Sequence, residues 1–443
     1  MSRAQKLIDR ARGAVPEGTF AVGVGLLVAA LTSYGFVIIA FRALGNRQNA
    51  GLSAFWALIF VAGPGFFLPL EQEVGRALAH RRAQGIGGGP VVARAARLGA
   101  ILATALVIGT LALANPLTHR LFHGDGYLVI GLSIGLVGFY GMHLTRGTLS
   151  GNGRFRPYGV MLAVESVARL IGAVVLAVAG VKEAWAYGLC LGLAPFVAVP
   201  VSLRGQRGLL KPGPPAPYSE LSEALGYLLA GSVLMQLLGY AALLGVNLLS
   251  TGHDKSMVAS FTRAFFVARI PILLFQAVQA ALLPKLAGLA GSGRHDDFRS
   301  GLRRLLQVVT GIAVLGTVAA FTIGPVAGKL LFGADKFTIG NGDLGLLAAG
   351  SGAYIIALTL AQALIALSGH ARATVAWLVG VAVFVGVAAS GSDLFLRVEL
   401  GFLTGSVAST AMMAVMLRRR VREDVPESIG PLIEAIGHEP LEL

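Results

Sequence analysis

Apolar stretches, each about as long as a bilayer crossing, fill the chain from residue 19 to residue 417 and are separated by short polar gaps. A helix needs roughly 20 mainly apolar residues to cross a hydrocarbon core of about 30 Å. The pattern therefore predicts an all-α polytopic membrane protein. The twelve predicted spans are 19–41, 52–71, 98–116, 127–145, 158–180, 184–203, 222–250, 256–284, 305–324, 344–368, 373–391 and 400–417.

The Lys and Arg residues concentrate in alternate gaps between the spans. If the N-terminus is cytoplasmic, 25 of the 36 lie on the cytoplasmic side, 8 on the opposite side and 3 within spans. Cytoplasmic loops of membrane proteins carry an excess of this kind, so we expect both termini in the cytoplasm. The net charge of +14 then reflects loops beside anionic lipid, and no nucleic-acid partner is expected.

The chain divides into two similar halves. The segment 204–219 contains four prolines and no apolar run, and it separates six spans from six. At an offset of 206 residues, Tyr34 falls on Tyr240 and Phe55 falls on Phe261. We expect parallel repeats related by a pseudo-two-fold axis, with a central cavity between spans 1, 2, 7 and 8 and alternating access. The predicted units are a cytoplasmic segment 1–18, an N-lobe 19–203, a linker 204–221, a C-lobe 222–417 and a cytoplasmic tail 418–443.

Polar residues inside span 8 are the first candidates for a binding site. Thr262, Arg269 and Gln276 recur every seven residues and therefore share one helix face. Arg269 lies near mid-membrane, whereas Arg263 is shallower. An intramembrane arginine normally faces a cavity or a counter-charge. Arg269 is thus a ligand for an anion in a cationic cavity, or else it snorkels to the interface or pairs with a carboxylate such as Glu165 on another helix.

Span 7 carries a second polar face, formed by Ser232, Gln236, Tyr240 and Asn247. These side chains either make hydrogen bonds between helices or line the cavity opposite span 8. Span 1 is the equivalent helix of the first half, with Tyr34 at its middle and Arg42 at its outer end. The candidate substrate-binding residues are Arg269, Arg263, Arg42, Gln276, Thr262, Gln236, Tyr240, Asn247 and Tyr34.

The acidic residues give a separate set of expectations. Glu165 and Arg169 are four residues apart in span 5, an order that favours a self-neutralising pair, and the alternative is a proton site. Glu71 and Glu73 end span 2, and we expect an interfacial ion pair with Arg76 there. We expect the last six spans to contain no membrane-embedded Asp or Glu.

Enzyme chemistry is not indicated. The eight histidines are scattered without metal-ligand spacing, Cys190 is the only cysteine, and the predicted outer loops are short. We expect no metal, no cofactor and no catalytic residue.

Two segments resemble a known family. Residues 146–159 (RGTLSGNGRFRPYG) are similar to the loop after span 4 of bacterial polysaccharide exporters, and residues 260–287 (SFTRAFFVARIPILLFQAVQAALLPKLA) are similar to their span 8. The whole chain looks like a member of the multidrug/oligosaccharidyl-lipid/polysaccharide (MOP) flippase superfamily, on its Wzx-type polysaccharide branch.

The resemblance implies a flippase that moves a polyprenyl-diphosphate-linked oligosaccharide from the inner to the outer leaflet of a bacterial inner membrane. Its partners would be membrane lipid and the glycosyltransferases or polymerase of the same pathway. A cationic lumen suits a diphosphate because Arg offers bidentate donors and stays charged.

Two alternatives stay open. One is a cation-coupled multidrug exporter of the same superfamily, a class that usually places carboxylates within the lobes. The other is a membrane-embedded enzyme of cell-envelope synthesis. A flippase would bind the lipid-linked sugar without changing it chemically, whereas an enzyme would convert it.

Overall fold

The structure is a computed structural model, and it describes residues 17–217, 220, 225–250, 255–272, 275 and 295–422. Within these residues the chain is helical and has no strand. Among the described residues, eleven helices are long and apolar enough to cross a membrane. The principal helices are α1 (Glu17–Ala43), α2 (Asn46–Ala83), α3 (Gly89–Ala112), α4 (Tyr127–Gly151), α5 (Phe155–Val178), α6 (Ala184–Leu203), α7 (Leu225–Leu249), α8 (Lys255–Ala268), α9 (His295–Phe332), α10 (Asn341–Ala366), α11 (His370–Ala388) and α12 (Leu394–Arg422).

The two sets of six helices pack in the same way, which confirms the predicted two-lobe fold. In the first lobe α1 packs along α5, α2 along α4, and α4 along α6. In the second lobe α7 packs along α11, α8 along α10, and α10 along α12. Each pair in the second lobe is the first-lobe pair shifted by six helices, as parallel repeats require. We call the end of the bundle that carries residues 204–217 the linker end and the opposite end the loop end.

Span 8 differs from the continuous helix expected for 256–284. Helix α8 ends at Ala268, Arg269 forms a turn, and helical geometry resumes at Ile270–Ile272. Pro271 explains the interruption, since proline has no N–H to donate to the carbonyl four residues earlier and its ring crowds the preceding turn. Apart from Phe275, the rest of the predicted span lies outside the described residues.

Glycines bring α2 and α4 into close contact. A Cβ at Gly147 would lie 2.6 Å from the backbone oxygen of Glu71, and a Cβ at Gly151 would lie 2.7 Å from that of Gly75. The four-residue spacing of Gly147 and Gly151 places both on one face of α4. These glycines belong to the 146–159 motif, so one physical role of the motif is to let two helix backbones approach each other.

The linker is attached to the first lobe. The amide of Gly89 donates to the carbonyl of Lys211 at 2.9 Å, and the side-chain amide of Asn152 donates to the carbonyl of Leu209 at 3.3 Å. Arg81, near the end of α2, donates to the carbonyl of Pro214 at 3.0 Å. The linker therefore packs on the first lobe up to Pro214 at least.

Candidate functional site

The lobes meet along two seams, and the first, between α2 and α7, is held by polar side chains of α7. Pro64 lies inside α2 and cannot donate to the carbonyl of Phe60, four residues earlier. The side-chain amide of Gln236 donates to that carbonyl at 2.9 Å. Gln236 thus satisfies, across the lobe interface, a backbone acceptor that proline leaves without its helical partner.

The same seam is bonded nearer both ends. Ser232 donates to the carbonyl of Pro64 at 3.3 Å, and Asn247, on the loop side, donates to the hydroxyl of Ser53 at 3.1 Å. At the linker end, the linker residue Glu220, five residues before α7, extends this seam by pairing with Arg81 of α2 at 2.8 Å. The polar face predicted on span 7 therefore makes interhelical hydrogen bonds at Ser232, Gln236 and Asn247.

The second seam joins α8 to α1 and, more extensively, to α2; we call it the α1–α8 seam. The hydroxyl of Tyr34 donates to the carbonyl of Phe266 at 3.1 Å. The ring of Phe266 packs edge-on against Phe41 and Trp56, with ring centroids 5.7 Å and 5.4 Å away. From Tyr34 toward the loop end this seam is closed by aromatic contacts.

Arg269 lies at the interruption of α8, beside this aromatic layer. Its guanidinium carbon is 4.7 Å from the ring centroid of Tyr240 and 4.8 Å from that of Phe265. The guanidinium also donates to the backbone carbonyl of Gly239. Tyr34 and Tyr354 lie within electrostatic reach of it. We call these five residues (Tyr34, Tyr240, Phe265, Arg269 and Tyr354) the central cluster.

The charge of Arg269 has no carboxylate partner among the residues that the structure describes. The structural pair with Glu165 considered from the sequence is not formed, because Glu165 binds Arg169 instead, at 3.0 Å. Two aromatic faces and one carbonyl stabilise the cation without neutralising it. An anion reaching this point would meet a positive charge that no described carboxylate neutralises.

Arg42 and Arg263 lie at the loop end, where the two lobes cap each other's helices. Arg42 donates to the carbonyls of Leu330 and Leu331 at the end of α9, each at 2.6 Å. In return, Lys336 donates to the carbonyl of Arg42 at the end of α1, at 2.7 Å. Cations at helix C-termini satisfy free carbonyls and interact favourably with the helix dipole. We call Arg42 and Lys336 the loop-end latch.

Arg263 supports the loop-end latch from the second lobe. It is 1% exposed, and it donates to the carbonyl of Lys336 at 2.6 Å and to the side-chain oxygen of Asn46 at 3.4 Å. The structure therefore places Arg42 and Arg263 in contacts that join the lobes at the loop end, apart from Arg269.

A charged network inside the first lobe was missed in part by the sequence reasoning. Glu73 pairs with Arg76 at 2.8 Å as expected, but Glu71 does not join an interfacial pair. Glu71 is 6% exposed, and its carboxylate accepts from Tyr158 at 2.8 Å and lies 2.7 Å from His143 Nδ1 and 3.2 Å from Arg146. Glu71 and Glu73 are two residues apart, so their side chains point about 200° apart around α2, and Glu71 faces His143 and Arg146 on α4.

This network explains the 146–159 motif chemically. Its first residue, Arg146, donates to the hydroxyl of Tyr158 at 2.7 Å, and both residues contact Glu71. Deeper in the lobe, Arg169 pairs with Glu165 and donates to Ser33 at 3.0 Å. The expected pair at i and i+4 is formed, and it is buried against the rings of Trp56 and Phe60.

The second lobe contains a buried acid that was not expected. The predicted last span began at residue 400, but α12 begins at Leu394, so Glu399 lies inside a helix that can span the membrane. Its side chain is 0% exposed. The expectation of no membrane-embedded Asp or Glu in the last six spans was wrong, because Arg397 and Glu399 interrupt the hydrophobic pattern at the start of this helix.

The remaining candidates have ordinary placements or lie outside the description. Thr262 donates to the carbonyl of Val258 on its own helix at 2.8 Å. Asn247 also lies 3.3 Å from the ring of His123. Gln276 lies outside the described residues. Of the nine candidates, the structure brings Tyr34, Tyr240 and Arg269 together in the central cluster.

Comparison with known proteins agrees with this architecture. No family model matches the chain. An uncharacterized protein of Mycobacterium tuberculosis is 27% identical over 453 residues, covering 98% of this chain and 95% of the relative. An uncharacterized protein of Mycobacterium bovis is 25% identical over 437 residues, covering 95% and 91%.

Solved structures give the fold. An inward-facing multidrug resistance MATE family transporter of the MOP superfamily matches with a TM-score of 0.69 and 14% identity, covering 90% of this chain and 99% of that one. An outward-facing one matches with a TM-score of 0.68 and 15% identity, covering 91% and 95%. The chain has the two-lobe fold of MATE transporters, and this likeness at low identity shows the fold alone.

Proposed function

We propose that this protein is a flippase that moves a polyprenyl-diphosphate-linked oligosaccharide from the inner to the outer leaflet by alternating access. The observation that carries the proposal is Arg269, a cation at an interrupted helix with no carboxylate partner among the described residues. Substrate sites of transporters commonly lie at discontinuous helices near the midplane.

The chemistry of Arg269 suits a lipid diphosphate. A guanidinium presents parallel N–H donors that match two phosphate oxygens, and it stays charged at any physiological pH. The rings of Tyr240 and Phe265 hold the guanidinium group of Arg269 in place and do not neutralise its charge. In a bilayer, where ions are expensive, an anionic headgroup would gain most at such a place.

The two seams suit a rocking motion. The α2–α7 seam is bonded from Glu220 to Asn247, whereas the described contacts of the α1–α8 seam lie from Tyr34 to the loop end. With the predicted orientation, the loop end is the outer face. Breaking the loop-end latch and the contacts of Phe266 with Tyr34, Phe41 and Trp56 would then open the central cluster to the outer side while the α2–α7 seam stays joined.

The test measures ligand-dependent stabilisation of the purified protein in detergent. Polyprenyl diphosphate should raise the Tm of the wild type, because a ligand that binds only the folded state stabilises it. Arg269→Ala should lose this rise, and Arg269→Lys should keep part of it, since Lys retains the charge without the planar fork. Arg207→Ala, a linker arginine, is the matched control and should behave as the wild type.

The rise, and not the Tm of the ligand-free protein, is the informative quantity. Arg269→Ala removes two cation–π contacts worth about 0.5–2 kcal/mol each, so it should lower the Tm even without ligand. Lipid-dependent stabilisation that is undiminished in Arg269→Ala would rule out the binding role.

The buried carboxylate of Glu399 favours a second candidate, a cation-coupled multidrug exporter of the same fold. An exporter of cationic drugs would be stabilised by those drugs and not by polyprenyl diphosphate. Running both ligand classes in the same assay separates the two functions.

A further inference from the structure

A groove lies between α9 and α12 at the linker end of the second lobe. The described residues of both helices pack along α10 but not along each other, so a cleft remains over α10. Its volume is about 870 Å³. The described residues that line it come only from α9, α10 and α12, and none of them belongs to a helix of the two seams. We call this cleft the α9–α12 groove.

The mouth of the α9–α12 groove is cationic. Arg299 and Arg303 are four residues apart and so lie on one face of α9, and Arg418 lies near the end of α12. No Asp or Glu is among the described residues that line the groove. Because arginine stays charged at any physiological pH, the mouth attracts anions.

Beyond the arginines the groove is apolar. Leu306 on α9, Leu360 on α10 and Leu417 on α12 line it. The groove extends to Thr310, about 16 Å along the helix axis from Arg299. A ligand that fills it therefore needs an anionic head and a long apolar part.

The arginines lie at the height of lipid headgroups. Arg299 and Arg303 precede the apolar stretch 305–324, and Arg418 directly follows the apolar stretch 400–417. With the predicted orientation, this end of the bundle faces the cytoplasmic leaflet, which carries anionic lipid. Basic pockets between membrane helices on that side bind anionic lipid headgroups. Charge and depth therefore both match an anionic membrane lipid.

The first lobe covers the equivalent place with its own chain. Helices α3, α4 and α6 correspond to α9, α10 and α12. The linker leaves the end of α6 and bonds to Asn152 at the end of α4 and to Gly89 at the start of α3, so it crosses the mouth of that cleft. In the second lobe, no segment among the described residues crosses the mouth of the α9–α12 groove. The groove is thus open to a lipid.

We propose that the α9–α12 groove is a binding site for an anionic glycerophospholipid of the cytoplasmic leaflet. The arginines bind the headgroup phosphate, since a guanidinium presents paired N–H donors that match phosphate oxygens. The acyl chains fill the apolar part and join α9 to α12. This site goes beyond the proposed transport function and does not depend on which substrate Arg269 binds. Because it lies outside both seams, it holds a resident lipid and not the transported one.

The first experiment titrates the purified full-length protein with phosphatidylglycerol and, separately, with phosphatidylcholine of the same acyl chains. Native mass spectrometry counts the bound lipids. Phosphatidylglycerol should bind more tightly, because only its headgroup carries a net negative charge. Arg303→Gln and Arg418→Gln should each weaken its binding about fivefold. Arg156→Gln, which changes an exposed arginine at the linker end of α5, is the matched control and should bind as the wild type does.

A second measurement needs only the wild-type protein. Phosphatidylglycerol with a photoreactive group on one acyl chain is crosslinked to the protein, and mass spectrometry locates the modified residues. Crosslinks should form at residues 306–310 of α9 and near Ala414 of α12. An excess of phosphatidylglycerol should suppress these crosslinks, and the same excess of phosphatidylcholine should not.

Three results would overturn the proposal. The first is equal binding of the two phospholipids, which is also expected if residues 423–443 of the same chain, with six acidic residues and no Lys or Arg, cover the groove. The second is a loss of binding in Arg156→Gln as large as that in Arg303→Gln, because general surface charge would then attract the lipid. The third is displacement of the crosslinked lipid by polyprenyl diphosphate but not by phosphatidylglycerol, because the groove would then belong to the transported lipid.

Discussion

The hydrogen bond between Gln236 and the carbonyl of Phe60 gives a prediction that can be worked through in numbers. Gln236→Leu keeps the size of the side chain but removes its donor, so the carbonyl at 2.9 Å loses its partner. Leaving a buried acceptor unpaired costs about 1–3 kcal/mol in soluble proteins. Hydrogen bonds between membrane helices average about 0.6 kcal/mol, with a maximum of about 1.7. We expect Gln236→Leu to lower the free energy of unfolding by about 1 kcal/mol.

The role of Pro64 makes this cost conditional. Pro64→Ala restores an N–H that donates to the carbonyl of Phe60 within α2. In that background Gln236→Leu leaves no acceptor unpaired, so it should lower the free energy of unfolding by about 0.3 kcal/mol or less. The difference between the two backgrounds is the coupling energy of a double-mutant cycle.

The assay is reversible unfolding of the purified protein in mixed micelles with increasing dodecyl sulfate, followed by tryptophan fluorescence. Four proteins are compared: the wild type, Gln236→Leu, Pro64→Ala and the double variant. Ser232→Ala is a useful control, because its partner is the carbonyl of Pro64 itself and its cost should not depend on residue 64. Equal costs of Gln236→Leu in both backgrounds would refute the reasoning.

Two further predictions concern orientation and the loop-end latch. In a Cys190→Ala background, a cysteine placed at Ser390 should react with an impermeant thiol reagent in intact cells, and a cysteine placed at Arg207 should not. The charge distribution requires this orientation. The opposite labelling would show that the topology is reversed. Lys336→Ala removes a charge-assisted hydrogen bond worth about 1.5–3 kcal/mol. The population of molecules with a longer distance between spin labels at Arg120 and Ala334 should therefore rise at least about tenfold. An unchanged distance distribution would show that the latch does not hold the lobes together.

The sequence predicted the architecture well because hydrophobic length and repeat order are local properties. Each span can be identified from its own residues, and the offset that aligns Tyr34 with Tyr240 indicated the two lobes. The pair of Glu165 and Arg169 was also predictable, since four residues on one helix fix their distance.

The partners that depend on packing between helices were not predictable. Gln236 satisfies the carbonyl of Phe60 only because α7 lies on α2 at one particular register. Glu71 was assigned to the interface because the network with His143 and Arg146 involves a helix more than 70 residues away in sequence. Glu399 was missed by a single residue at a predicted helix start, where boundaries are least certain.

If the protein is the flippase proposed above, the contacts described along the two seams decide where the long isoprenoid tail of its substrate can pass. A polyprenyl chain is as apolar as the bilayer, so nothing drives it into a polar passage, and it must trail in lipid while its headgroup crosses. The tail therefore needs a slit between the lobes along the whole crossing. The α2–α7 seam is bonded at the height of Glu220, of Gln236 and of Asn247 and would bar such a slit. The tail would have to travel between α1 and α8, so that Tyr34 and Phe266 part to let each isoprenoid chain pass.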